Sequence, residues 1–288
     1  MQPGGRADEE GPATLLARQA GDALRALVRP AAYVGAAREV ALGALSVASY
    51  PLGVAPVAWR RPPVLPVPPP RAGRPVLDPA VAEVPVVLVH GWFHNRSAFL
   101  VMGRALRRAG FRTVHSLNCN PLADLRASAA RLADEVASVL ERTGAERCAI
   151  VGHSAGGLVA RSFVSEGGGE DLVDTLLTLG TPHRGTYASY LGVGPAAAQM
   201  RPGSAFLAGV DAAARPSRVR YVACWSDLDL LVTPAAHGRL LHPALQAANV
   251  QLHDTGHLSL LVSGEALRTV VAWLSDPTAG RPQPSTGS

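Results

Sequence analysis

Four short strand-like runs mark the middle of the chain: the nearly continuous apolar Val84 to Val89 and Cys148 to Val151, and the more mixed Leu172 to Leu179 and Val219 to Trp225. Runs of this kind are the pattern of strands covered on both faces. Gly110 to Leu117 and Val250 to Leu252 predict two further strands. Between them, apolar positions recur at helical spacing and predict helices over Ser97 to Arg108, Leu122 to Arg142, Leu158 to Val164, Ala235 to Ala247 and Leu258 to Leu274. Strands alternating with helices predict an α/β fold with a doubly wound, mostly parallel sheet. The long stretch from Gly185 to Pro216, with Tyr187, Tyr190, Leu191, Met200, Phe206 and Leu207, reads equally well as a lid or wall of a site and as an ordinary crossover.

The pattern differs ahead of Val84. From Thr14 to Arg29 apolar residues at helical spacing interleave with Arg18, Asp22, Arg25 and Arg29, predicting an amphipathic helix. Val40 to Trp59 carries no charge and has about the length of a membrane span, yet it is rich in Ala and Gly and contains Pro51 and Pro56. A helical cap on the following domain, an interfacial anchor and a span are the three readings of this region. Arg60 to Pro75 is dominated by proline and predicts an extended linker. The expected organisation is a helical extension over 1–59, the linker over 60–75, an α/β domain over 76–275 and a disordered tail over 276–288.

At 288 residues, 48% hydrophobic and 17% charged, the chain can bury a large core. Its net charge of +5 comes entirely from scattered arginines, with no lysine and few aromatics, which argues against nucleic acid as a partner. Cys119, Cys148 and Cys224 have neither disulfide nor zinc spacing, and the last two fall in strand-like runs as small buried hydrophobes. Asp8, Glu9 and Glu10 stand where a secretory signal would carry positive charge, so no conventional signal peptide is expected and the location is cytoplasmic or peripheral at a membrane.

Candidate chemistry centres on Gly152-His153-Ser154-Ala155-Gly156, a G-x-S-x-G motif between a strand and a helix. A serine exposed on such a turn is a nucleophile only if a base, an orienting acid and oxyanion donors accompany it. Asp227 and Asp229 follow the strand ending at Trp225; His253 and His257 follow the strand ending at Leu252. Asp229 is the preferred acid, on the loop Asp-x-x-Val-x-Pro, with Asp227 as the alternative. His257, preceded by Gly256, is preferred over His253 as base. Oxyanion donors are expected from the amides of Ala155 and Trp92. His183, in a turn after a strand, reads as structural. No dense acidic loop is present, so neither a metal nor a cofactor is expected.

His90-Gly91-Trp92, Gly152-His153-Ser154-Ala155-Gly156-Gly157, Leu179-Gly180-Thr181-Pro182-His183-Arg184-Gly185 and Gly256-His257-Leu258 together resemble the bacterial triacylglycerol lipase and esterase group of the α/β-hydrolases, over about Val84 to Leu274. The resemblance implies a serine hydrolase of carboxylic esters with Ser154, Asp229 and His257 as triad, acting on lipid-like or other ester substrates. Trp after His90-Gly91 and Ala155 after the nucleophile depart from the group's commoner residues, and the helical extension lies outside its core. An acyltransferase using the same acyl-enzyme, and a non-catalytic binding module associated with a membrane surface, are the other readings.

Overall fold

The structure, a computed structural model, describes residues 30–54, 77–120 and 123–279. The amphipathic helix expected over Thr14 to Arg29 and the linker expected over Arg60 to Pro75 lie outside the described residues, as does the tail expected over 276–288 except for 276–279, which form a turn closed on Asp276.

Six strands form one sheet: β1 (Val86–Val89), β2 (Val114–Ser116), β3 (Cys148–His153), β4 (Val173–Leu179), β5 (Arg220–Ser226) and β6 (Ala248–Leu252). Their order is β2-β1-β3-β4-β5-β6 and every neighbouring pair is parallel. The first crossover goes outward from β1 to β2 and the next returns past β1 to β3, so the winding reverses beside β3. In open parallel sheets, sites form at such a reversal, outside the carboxyl ends of the strands.

The apolar runs become strands because both faces are covered. Val87, Val89 and Ile150 pack on one side against α4 (Leu125–Thr143), α5 (Ala155–Glu166) and α7 (Ala205–Ala213). Val86, Leu88, Ala149 and Val151 pack on the other against α3 (Leu100–Ala109) and α8 (Gly264–Ser275). Cys148 and Cys224 are fully buried in β3 and β5, and all three cysteines are free thiols. Two short helices, α2 (Pro79–Glu83) and α6 (Gly194–Gln199), complete the described helices that follow the extension.

Local signals set the helix ends. Asp124 Oδ1 accepts from the amides of Arg126 at 2.8 Å and Ala127 at 3.1 Å, and Gly144 takes φ 72° at the other end of α4. Two expectations are corrected. The helix expected over Ala235 to Ala247 is a pair of single 3-10 turns, Ala235–Gly238 and Pro243–Leu245. Asn249 bonds the backbone of Leu240 between them, donating to its carbonyl and accepting from its amide, so a helix loses those groups. The helix expected from Leu258 is likewise interrupted: Ser259–Leu261 is a 3-10 turn, and α8 begins only after Ser263 caps it. Gly185 to Pro216 folds as a 3-10 turn at Tyr187–Leu191 followed by α6 and α7.

The described part of the extension is one long helix, α1 (Pro30–Val54), with Pro51 inside it. It lies against the loops at the carboxyl edge of the sheet. Near its end, Asn95 donates to the Tyr50 carbonyl at 2.8 Å and Asn118 to the Gly53 carbonyl at 3.1 Å. Helix-end carbonyls lack intrahelical partners, and the loops after β1 and β2 supply them here. Among the described residues no helix is long and apolar enough to cross a membrane.

Candidate active site

Ser154 links β3 to α5 with φ 56° and ψ −126°, a backbone region rarely adopted by residues with a side chain. The strain is held by packing. A methyl group at Gly156 would sit 2.2 Å from the Val89 carbonyl oxygen, and one at Gly152 would sit 2.6 Å from the Gly157 Cα. Only glycines let strand, turn and helix approach so closely. The Ser154 amide donates to the Leu179 carbonyl at 2.9 Å, and its own carbonyl accepts from the Thr181 hydroxyl at 3.0 Å. Ser154 is half-buried at the sheet's carboxyl edge.

Asp229 and His257 meet at the neighbouring strand end. Asp229 Oδ2 lies 2.8 Å from His257 Nδ1, while its Oδ1 accepts from the amides of Leu231 and Val232, both at 2.9 Å. Nδ1 therefore carries the proton given to the carboxylate, and Nε2 is left as an acceptor. Both side chains are almost wholly buried. A methyl at Gly180, just past β4, would lie within 2.8 Å of Asp229 Oδ2 and 3.2 Å of His257 Nδ1, so the pair sits over the same strand end to which Ser154 is bonded. The other acid and base candidates stand apart and face each other: Asp227 Oδ2 is 3.5 Å from His253 Nδ1 on the exposed side of the loops. Ala155 is the first residue of α5, where amides lack intrahelical partners, and Trp92 lies in a turn closed by the His94 amide on the Gly91 carbonyl at 3.2 Å.

Three further histidines join the site. His153 Nε2 donates to the His257 carbonyl at 3.1 Å, with ring centroids 4.6 Å apart, and His94 stacks on His153 at 5.9 Å. His90 donates from Nδ1 to the Gly91 carbonyl at 3.0 Å and accepts at Nε2 from the Cys119 amide at 3.2 Å. His90 and His153 stand in the motifs that carry the resemblance; His94 carried no sequence signal. His183 is buried against Thr178, with Nε2 at 3.0 Å from the hydroxyl, and does not touch the Asp229–His257 pair.

Burial, the largest influence on these rings, pushes His94 down to about 4, helped by His257 and His90. It also holds His153 and His183 well below the ordinary histidine value, and His90 below it. His257 goes the other way. Burial alone would lower it, but the charge and hydrogen bond of Asp229, and then Glu39, raise it. The unfolded chain takes up protons on all of these rings near pH 6.5, whereas the folded chain refuses them at four, so stability falls on acidification below that pH. Among these rings His257 alone opposes this, stabilising below the unfolded value and losing that contribution as pH rises through its raised value. The urea midpoint is expected to drop from pH 7 to pH 5; a flat midpoint would contradict the buried neutral rings.

The segment Gly185 to Leu191 runs beside the loop that follows Asp229. The Thr186 hydroxyl donates to the Leu231 carbonyl at 2.8 Å, the Tyr187 amide to Thr233 at 2.9 Å and His237 Nδ1 to the Gly185 carbonyl at 2.8 Å. Its base is thus fastened to the loop carrying Asp229. Trp92 packs against Gly192, where a methyl would lie 2.2 Å from its ring. A cavity of about 460 Å³ opens between α1 and the loops after β1 and β2, lined by Tyr50, Asn95, Asn118, Cys119 and Arg131, but it includes none of Ser154, Asp229 or His257. Among the described residues no group of three or more His, Cys, Asp or Glu side chains is placed to hold a metal ion.

The mature form of a Bacillus licheniformis lipase, BlEst2, superposes with a TM-score of 0.59 at 20% identity, covering 70% of this chain and 96% of that one. The chain has the α/β-hydrolase fold. Aspergillus fumigatus lipase B shares this hydrolase fold at a TM-score of 0.59 and 20% identity, over 68% of this chain and 54% of that one. A family model described as palmitoyl protein thioesterase matches residues 85–227. An sn-1-specific diacylglycerol lipase, ABHD11, of Xenopus laevis is 36% identical over 88 residues, 29% of this chain. The matched stretch spans 28% of that relative's length.

Proposed function

We propose that the chain hydrolyses carboxylic esters with lipid-like acyl groups through an acyl-Ser154 intermediate. The observation that carries this reading is the Asp229–His257 pair, 2.8 Å apart and buried, at the strand end beside the strained Ser154 turn. His257 Nε2 takes the Ser154 proton as Oγ bonds to the ester carbon, and Asp229 stabilises the imidazolium. The amides of Ala155 and Trp92 stabilise the oxyanion. Collapse breaks the bond to the leaving alcohol, which receives the proton from His257. Water, deprotonated by the same nitrogen, then attacks the acyl-Ser154 carbonyl; the acyl–Oγ bond breaks, the acid leaves, and Ser154 Oγ takes the proton back from His257. A thioester is open to the same attack, and the thioesterase-like family match favours including it.

Exposed apolar residues around the site favour a lipid-like substrate presented at a surface. Phe93, Tyr190, Leu191, Val193, Leu230 and Leu231 all lie on loops beyond the carboxyl ends of the strands, and Leu191 is 92% exposed. Helix α1 exposes Val40, Leu45, Val47, Leu52 and Val54, while its partly or fully buried positions are mixed, among them Glu39, Leu42, Ser46, Ser49, Tyr50 and Gly53. Association of this face with lipid aggregates follows from the apolar area it would remove from water.

The test is hydrolysis of p-nitrophenyl esters from acetate to palmitate, and of palmitoyl-coenzyme A, below and above substrate aggregation. Long chains should be preferred. The double variant Leu191→Asp with Val47→Asp should slow palmitate hydrolysis on aggregates about tenfold or more, from roughly 1.5–3 kcal/mol per lost apolar contact, and leave acetate hydrolysis within about twofold. Equal turnover of acetate and palmitate in the wild type, with no effect of the variant, would remove the lipid part of the proposal.

A further inference from the structure

We propose that Glu39, on the extension helix α1, is a positioning residue for His257, holding from outside the hydrolase domain the turn that carries the imidazole. The inference rests on reading His257 as the base.

The two charged residues of α1, Arg38 and Glu39, both reach this turn. Glu39 Oε2 accepts from the Leu258 amide at 2.7 Å. Its Oε1 accepts from the Ser259 amide at 3.0 Å and also from the Ser259 hydroxyl. Arg38 Nη2 donates to the Asp254 carbonyl at 2.9 Å. Gly256 leaves the carboxylate its seat: a methyl there would stand 2.3 Å from the Glu39 carboxyl carbon. A carboxylate accepting amides at the start of a helical turn is a strong, charge-assisted cap. Here the capped amides are the two that directly follow His257, and the cap comes from 219 residues earlier in the chain. The imidazole is thus fixed from three sides: Asp229 on Nδ1, His153 on the carbonyl, and Glu39 on the amides that follow.

Glu39 also adds negative charge where the imidazolium forms. The titratable groups around His257 are Asp229 from the loop after β5, Glu39 from α1, His153 at the end of β3 and His94 from the loop after β1. The carboxylates favour the protonated ring, and the buried neutral histidines oppose it.

The experiment compares Glu39→Gln and Gly256→Ala with the wild type in the full chain. Glu39→Gln removes the charge, and Gly256→Ala blocks the seat while leaving Glu39 in the chain. With folding checked by circular dichroism, both are expected to lower kcat for p-nitrophenyl acetate about tenfold with KM within about twofold, as loss of transition-state positioning predicts. The acid limb of kcat/KM should move to lower pH by about half a unit, because loss of a nearby negative charge lowers the His257 pKa. The same displacement is expected in the NMR titration of the His257 ring in a Ser154→Ala background, a readout that needs no turnover. A folded variant of either kind with wild-type kcat, pH limb and ring titration would overturn the proposal. A displaced ring titration in a protein that turns over no ester would uphold the Glu39 contact and sink the hydrolase reading instead.

Discussion

Replacing Ser154 by Ala is expected to reduce ester hydrolysis by about 10⁶-fold while leaving the fold intact. The size follows from the role, since no other hydroxyl stands on the strained turn between β3 and α5. Alanine meets the same backbone cost at φ 56° that serine already bears, and the Ser154 amide bond to Leu179 and the carbonyl bond from Thr181 are main-chain contacts that survive the change. The thermal midpoint should therefore stay within a few degrees of wild type. Steady-state kinetics with p-nitrophenyl butyrate, alongside circular dichroism, separates the two outcomes. A rate loss below about tenfold would remove Ser154 from the chemistry.

Asp229→Asn should cost about 10⁴-fold in kcat, by analogy with loss of the orienting acid in other serine hydrolases. Asparagine carries no charge and a single side-chain oxygen, and the Leu231 and Val232 amides favour holding that oxygen, which turns the NH₂ toward His257 Nδ1. If the NH₂ faces the ring, Nδ1 becomes the acceptor and Nε2 carries the proton, so Nε2 can no longer take one from Ser154. Asp227→Asn, on the exposed side against His253, should leave kcat within about twofold. The pH profile adds a second readout. The base must be neutral to act, so activity in the wild type should rise with pH through a value above the ordinary 6.5, in keeping with the raised His257. Loss of the Asp229 charge should move any residual limb downward. Similar losses for Asp227→Asn and Asp229→Asn would contradict the assignment of the acid.

How much of the fold and site was legible in the sequence depends on how far apart the interacting residues lie. The central strands could be read because burial on both faces writes a nearly continuous apolar run, as in Val86 to Val89 and Cys148 to Val151. The Ser154 turn could be read because its glycines are demanded by contacts within a short stretch and with the neighbouring strand end. Local periodicity misled where side chains competed for the backbone: Asn249 takes the amide and carbonyl of Leu240, and a helix expected there dissolves into two turns. That the histidines pack together had no sequence signal, because His153 and His257 are 104 residues apart and meet only when the strands align. The orientation of α1 was also out of reach. It exposes several apolar residues and turns Glu39 inward, so hydrophobicity alone cannot say which face this helix presents to the protein.

The most direct test of the central claim is to trap the nucleophile. The wild-type protein would be treated with a fluorophosphonate, digested, and mapped by mass spectrometry, with Ser154→Ala in parallel. Catalysis through Ser154 predicts a single adduct on the peptide containing that residue, formed in step with loss of ester hydrolysis and absent from the variant. An adduct on another serine, or hydrolysis that continues while Ser154 is fully modified, would contradict it.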